Sequence, residues 1–319
     1  MFASCDVLNS ISVGDGIDFS EVTDTRGMFN YCTDITGATV RPITNKINTL
    51  IDASCMFQGC WDLDVMPFTF EQMSRIQDGS NMFYYCTSMN CQLHSEWQNY
   101  EKELYYLTTG SQMFFGCGIG GRWYYAMPNL VTANKMFDSS NFEYFGRVGS
   151  AIDFQHLQNA ERMFQNCDML LECNIEIPYA TTALEMFNGC SSLRTISELR
   201  MYDLETSESM FYNCLSLTDV RIGNLNNLRR ARSMFEGCRS LENITLLHPQ
   251  GYVLENTKRM FATQGDLSIS TDDGYDHFIL ESAITAEEMF AGFCSAYIPS
   301  NITPDQFPIL QIGSGIRGH

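Results

Sequence analysis

The chain has 319 residues, with 19 lysines and arginines against 38 aspartates and glutamates, for a formal net charge of −19. That surplus of carboxylates disfavours contact with DNA, RNA or anionic lipid. No 18-residue window is free of charged and strongly polar side chains, which excludes a membrane-spanning helix.

The pair Met-Phe opens the chain and returns throughout it. The methionines are Met1, Met28, Met56, Met82, Met113, Met136, Met163, Met186, Met210, Met234, Met260 and Met289, at intervals of 23 to 31 residues. A period of this length marks a stacked array, in which each repeat buries its apolar face against its neighbours. The first repeat, Met1-Phe2-Ala3-Ser4-Cys5, has no capping segment before it, and no export signal is recognisable. It is therefore expected either to follow removed residues or to dock on another copy of the chain or a neighbouring subunit.

Each repeat carries more than the pair. Six positions before the methionine stands an apolar residue (Leu50, Ile76, Leu204), and three before it a small one (Ala53, Gly79, Ala183). Four positions after it comes cysteine in nine of twelve repeats, and at seven an aliphatic such as Leu193 or Leu241. Apolar or small residues every three to four positions predict a short helix or 3₁₀ turn carrying Met-Phe. The small residue implies close approach of adjacent repeats. Runs such as Leu217-Val220-Ile222 and Leu241-Ile244-Leu246 predict short strands after it.

The fourth to sixth repeats depart from this pattern. The interval stretches to 31 residues, Ser140 replaces cysteine, and 13 aromatics crowd into positions 97–145. Trp97, Tyr100, Tyr105, Tyr106, Trp123, Tyr124 and Tyr125 exceed what the repeat needs, and rings with polar tips favour contact surfaces. They form the candidate partner-binding patch. The alternative is that a longer loop packs a small core of its own.

Of the thirteen cysteines, the nine at +4 read as a ladder of small buried hydrophobes, and Cys173 fits the same reading. Packed helices would hold equivalent positions roughly 8–10 Å apart, beyond disulfide reach. Cys55, Cys91 and Cys294 stand off that register and are the candidates for a bridge or a reactive thiol. Catalytic patterns are absent. The histidines form no His-x-x-x-His pair, there is no Cys-x-x-Cys, and Gly116-Gly118-Gly121 follows a Met-Phe segment instead of a strand. Asp272, Asp273 and Asp276 lack calcium-loop spacing, and Asn243-Ile244-Thr245 matches a glycosylation acceptor. No cofactor, metal or catalytic residue is expected.

The order Met-Phe-x-x-Cys-x-x-Leu, as in Met186–Leu193 and Met234–Leu241, resembles the BspA-type leucine-rich repeat of bacterial and protist surface proteins. The resemblance implies a binding solenoid at the cell surface that recognises a protein or a glycan. It also allows attachment or assembly in a virus particle. The expected fold is therefore an α/β repeat: a leucine-rich-repeat-like solenoid of about twelve repeats over 1–296, with short parallel strands on one face and short helices or 3₁₀ turns on the other. Residues 297–319 would form a cap or tail. The expected function is a non-catalytic binding or adhesion module.

Overall fold

The computed structural model describes residues 1–11, 19–44, 47, 49–90, 103–146, 151–223, 225–247, 254–262, 265–271 and 293–297. The chain divides into two compact units, Met1–His156 and Leu157–His319. Each is a parallel-stranded, leucine-rich-repeat-like stack. The first unit contains α1 (Gly37–Thr44), α2 (Phe70–Ser74), β1 (Arg122–Trp123), β2 (Tyr144–Phe145) and β3 (Ile152–Asp153), and outside these elements single parallel bridges link its repeats through Asp24, Asp52, Asp78, Thr109 and Thr132. In the second unit come β4 (Glu172–Cys173), β5 (Ile175–Glu176), β6 (Thr195–Ile196), β7 (Leu199–Arg200), β8 (Asp219–Gly223), β9 (Asn243–Leu247), β10 (Gly265–Thr271) and β11 (Phe293–Tyr297). There β7 to β11 pair in parallel with each strand beside the next, and β4 pairs with β6. Among the described residues helix is confined to α1 and α2, so the helical face expected of an α/β repeat is not what the chain builds.

The Met-Phe segment is a ribbon of tight turns. Counting from the methionine as zero, positions −1 and +3 have φ between about +50° and +80° in every described repeat: Lys135 at 54°, Glu185 at 52°, Asn213 at 59°, Gly237 at 80°. A left-handed residue every fourth position cannot continue a right-handed helix. The N–H groups at 0, +2 and +4 bond back three residues, as in Met56 to Ala53, Gln58 to Cys55 and Cys60 to Phe57. The apolar spacing of a helix is thus met by consecutive β-turns, which share its i to i+3 geometry.

The intervening N–H groups join the repeats. Those at −3, −1, +1 and +3 donate to the carbonyls at −4, −2, 0 and +2 of the following repeat: Ala53 to Asp78, Cys55 to Ser80, Phe57 to Met82, Gly59 to Tyr84, at 2.7–3.0 Å. The second unit repeats the set from Ser207, Ser209, Phe211 and Asn213. The remaining N–H, at −2, is taken by the side chain at −4: Asp52 for Ser54, Asp78 for Ser80, Asn159 for Glu161. In the repeat around Met56 every turn-ribbon donor from Ala53 to Cys60 therefore has an acceptor, as buried backbone requires.

The core follows from this ladder. Phenylalanine rings stack in register, Phe2-Phe29-Phe57-Phe83-Phe114-Phe137 in the first unit and Phe164-Phe187-Phe211-Phe235-Phe261 in the second, 5.3–5.8 Å between centroids. The methionines of the Met-Phe pairs from Met28 to Met260 are buried. The small residue at −3 lies against the sulfur of the next methionine: a Cβ on Gly79 would sit 2.7 Å from Met113 Sδ, and Thr25 Oγ1 donates to Met56 Sδ at 3.0 Å. That is the close approach the sequence implies. The +4 cysteines from Cys32 to Cys117 and from Cys190 to Cys238 donate their thiols to the phenylalanine carbonyl of the preceding repeat: Cys60 to Phe29 at 3.1 Å, Cys117 to Phe83 at 2.8 Å, Cys238 to Phe211 at 2.9 Å. Ser140 does the same to Phe114 at 2.5 Å, so the serine keeps the bond that the cysteines make. Because backbone hydrogen bonds join the repeats directly, the wide helix-to-helix separation expected between cysteines does not apply. They are free thiols all the same.

Candidate binding surfaces

Of the seven aromatics expected to form a patch, Trp97 and Tyr100 lie outside the described residues. Tyr105 and Tyr106 are exposed, their rings edge-to-face at 5.3 Å. Asn129 Nδ2 donates to the Tyr105 carbonyl at 2.8 Å and holds this loop against the next repeat. Trp123, Tyr124 and Tyr125 are buried and cannot offer their rings to a partner. Trp123 packs edge-on against Phe114 and Phe137, and its Nε1 donates to the Tyr125 carbonyl at 3.2 Å. Here the sequence pattern misleads: the interior between these repeats is filled with rings where other repeats place aliphatics.

Tyr106 closes one side of a groove of about 640 Å³ in the first unit. Thr23, Ile51 and Gln77 form its floor from three successive repeats, and Glu71 and Arg75 of α2 stand opposite. The sequence explains why α2 stays in place. Thr69 and Gln72 form a capping box, and Gln72 Nε2 also donates to the carbonyls of Thr44 and Ile47 at 2.7 and 2.5 Å. The Tyr106 N–H donates to the Ser74 carbonyl at 3.4 Å, tying the tyrosine loop to the same helix. Ile51, a large aliphatic, is exposed on the floor.

A second aromatic surface has no counterpart in the sequence reading. On the outer side of the first unit's turn ribbon, Tyr31, Trp61 and Tyr85 are each about half exposed. Tyr31 and Tyr85 occupy the left-handed +3 position, which turns their rings outward along the stack. Each ring rests on the glycine at +3 of the next repeat: a Cβ on Gly59 would lie 2.6 Å from Tyr31, and one on Gly116 2.9 Å from Tyr85. Tyr84 stacks on Phe115 at 4.8 Å and meets Tyr85 edge-on at 4.7 Å. Burial, then Tyr85, Tyr31 and Asp138, push the Tyr84 hydroxyl above its ordinary range. The signal was present as an alternation at +3 of Tyr31, Gly59, Tyr85 and Gly116.

Among the described residues, no group of three or more histidine, cysteine or carboxylate side chains is placed to hold a metal. Burial pushes the Cys60 thiol up to about 12 and raises Cys173 and Cys214 as well, which keeps them protonated and unreactive. Cys55 is half-buried, free and likewise raised by burial; the side chains of Cys91 and Cys294 fall outside the described residues, as do Asp272, Asp273 and Asp276. Asn243 lies in β9 with its amide donating to Asp219 at 2.7 Å. No described helix is long and apolar enough to cross a membrane.

Residues 158–269 match the BspA type leucine rich repeat region in six copies. Residues 1–119 match the family described as Mycoplasma protein of unknown function, DUF285. A crystal structure of a leucine-rich repeat protein from Bacteroides ovatus aligns over 85% of this chain and 71% of its own, at 15% identity and a TM-score of 0.38. No curated protein matches the chain.

Proposed function

We propose that this BspA-type leucine-rich-repeat protein is a non-catalytic binding module that engages another macromolecule through the groove between Tyr106 and Ile51. The observation that carries the reading is an exposed tyrosine pair beside an exposed isoleucine on backbone fixed by inter-repeat hydrogen bonds. Aromatic anchors on a rigid frame lose little conformational entropy on binding, and such residues dominate interface energetics. The groove mixes this apolar floor with the Arg75–Glu71 pair at 3.6 Å, a combination suited to a protein segment.

Peptide and glycan arrays probed with the wild type and with the Ile51→Asp/Tyr106→Ala variant test the proposal. Signals present for the wild type should fall at least tenfold in the variant, on the order of the loss of one hot-spot aromatic. Equal signals from both proteins on every positive spot would place binding elsewhere.

A further inference from the structure

From +2 to +6, the first unit's turn ribbon combines exposed rings with an absence of lysine and arginine. Positions +2 to +6 of its six repeats (3–7, 30–34, 58–62, 84–88, 115–119 and 138–142) contain no lysine or arginine. They do contain the exposed carboxylates Asp6, Asp34 and Asp62, aligned beside the rings: the Asp34 N–H donates to the Asp6 carbonyl and the Asp62 N–H to the Thr33 carbonyl. The corresponding segments of the second unit lack tyrosine or tryptophan except at Tyr212. The feature therefore belongs to the first unit and is not a by-product of the repeat.

The rings have a regular beat. Tyr31 and Tyr85 sit two repeats apart, with the smaller Gly59 between them and Trp61 offset in that middle repeat. Strand spacing sets two repeats about 9.6 Å apart, and the stacked phenylalanines of the same ribbon, 5.3 Å from Phe29 to Phe57 and 5.8 Å from Phe57 to Phe83, set them about 11 Å apart. Three residues of polyproline II helix span about 9.3 Å. A guanidinium or ammonium group within about 6 Å of such a ring is attracted by its π face. Carboxylates beside the rings add Coulomb attraction for the same cation and repel acidic chains.

We infer that Tyr31, Trp61 and Tyr85 form a docking stripe for an extended peptide segment carrying arginine or lysine at every third residue, its cations seated on the rings and flanked by Asp34 and Asp62. The inference rests on the reading of the chain as a binding module, yet it uses a surface that shares no residue with the Tyr106 groove.

Titration with the synthetic peptide acetyl-(Arg-Pro-Pro)₄-amide, followed by Trp61 fluorescence and calorimetry, provides the test. Two comparison peptides are (Glu-Pro-Pro)₄ and (Arg-Pro)₄, the latter with the same number of arginines at the wrong spacing. The first peptide should bind, the acidic one should not, and (Arg-Pro)₄ should bind several-fold more weakly. The variant Tyr31→Asn/Trp61→Gln/Tyr85→Asn should lose at least about tenfold in affinity, from two to five per ring. Asparagine is chosen because Asn166 and Asn213 hold the same left-handed position in the second unit, which protects the fold. Substituting the exposed Tyr179 and Tyr202 of the second unit should change nothing. Unchanged binding by the triple variant, or indifference to arginine spacing, would reduce the effect to the general acidity of the chain and overturn the inference. Loss of binding in Tyr106→Ala with the triple variant unaffected would move the peptide to the groove, and would do the same. Failure of every peptide to bind also rejects the stripe, while leaving the groove proposal standing on its own arrays.

Discussion

Lys135 shows how much the array asks of single residues. It holds φ at 54°, a conformation that costs a side chain about 1–2 kcal/mol relative to the right-handed region. The backbone bonds around it offset that cost, since each contributes roughly 0.5–1.5 kcal/mol. Lys135→Gly should therefore stabilise the protein by about 1 kcal/mol in chemical denaturation, whereas glycine inside a helix would destabilise it by a similar amount. A loss on substitution would restore the helical reading of this segment. Ser140 makes a second residue-level case. Ser140→Ala removes the hydroxyl bonded to Phe114 and should lose about 0.5–1.5 kcal/mol, while Ser140→Cys, which restores a donor, should stay close to wild type. The buried thiols set a pH dependence. The Cys60 thiol titrates near 12 in the folded chain against an ordinary 9. Between these values the unfolded chain has lost its proton and the folded one has kept it, so stability falls as pH rises. Below pH 9 the contribution is fully present. Urea titrations from pH 8 to 11 should show the decline, and Cys60→Ser should remove one thiol's share of it, with Cys173 and Cys214 keeping theirs.

At the scale of the element, the sequence announced the repeat, its buried face and its strands, because burial imposes periodicity on apolar residues. The residues at −6, −3, 0, +1, +4 and +7 point inward as the spacing says, from Leu50 to Leu63 in one repeat and Leu204 to Leu217 in another. Helix against turn ribbon was not legible, since both bring every third or fourth side chain to one side. The discriminating evidence lay at −1 and +3: left-handed backbone at −1 accepts Lys135, Glu185 or Arg259 and leaves no composition signal, while +3 carries one only in part, as Gly59, Gly116, Asn166, Gly189, Asn213 and Gly237 alongside Tyr31, Tyr85 and Ser139. The candidate patch failed at Trp123–Tyr125 for a related reason: ring count reports on volume to be filled as readily as on a surface. Pairing across repeats offers a test at this scale. A Cβ on Gly237 would meet Asn213 Oδ1 at 2.3 Å, and its φ is 80°. Gly237→Ala should destabilise by about 1–3 kcal/mol. Adding Asn213→Gly should recover the steric part and leave the backbone strain, a coupling that a double-mutant cycle would measure.

At the scale of the whole molecule, two faces of the first unit carry the binding proposals and the stacked interior carries the stability. Phe211, stacked between Phe187 and Phe235, is fully buried. Phe211→Ala should cost about 3–5 kcal/mol and lower the melting temperature of the second unit. Calorimetry would also show whether the first unit melts with it or separately, which tests the division after His156.

The turn ribbon has one further consequence. Between successive repeats within a unit, the peptide groups ending at −3, −1, +1 and +3 point their carbonyls toward the preceding repeat and their N–H groups toward the following one. Four dipoles of about 3.5 D thus add in one direction at every step, where an ordinary strand would alternate and cancel them. Each step polarises the next, and the ribbon acquires a positive and a negative pole. Growth of such an array by duplication can proceed only in one sense, because a repeat inserted backwards would set carbonyl against carbonyl.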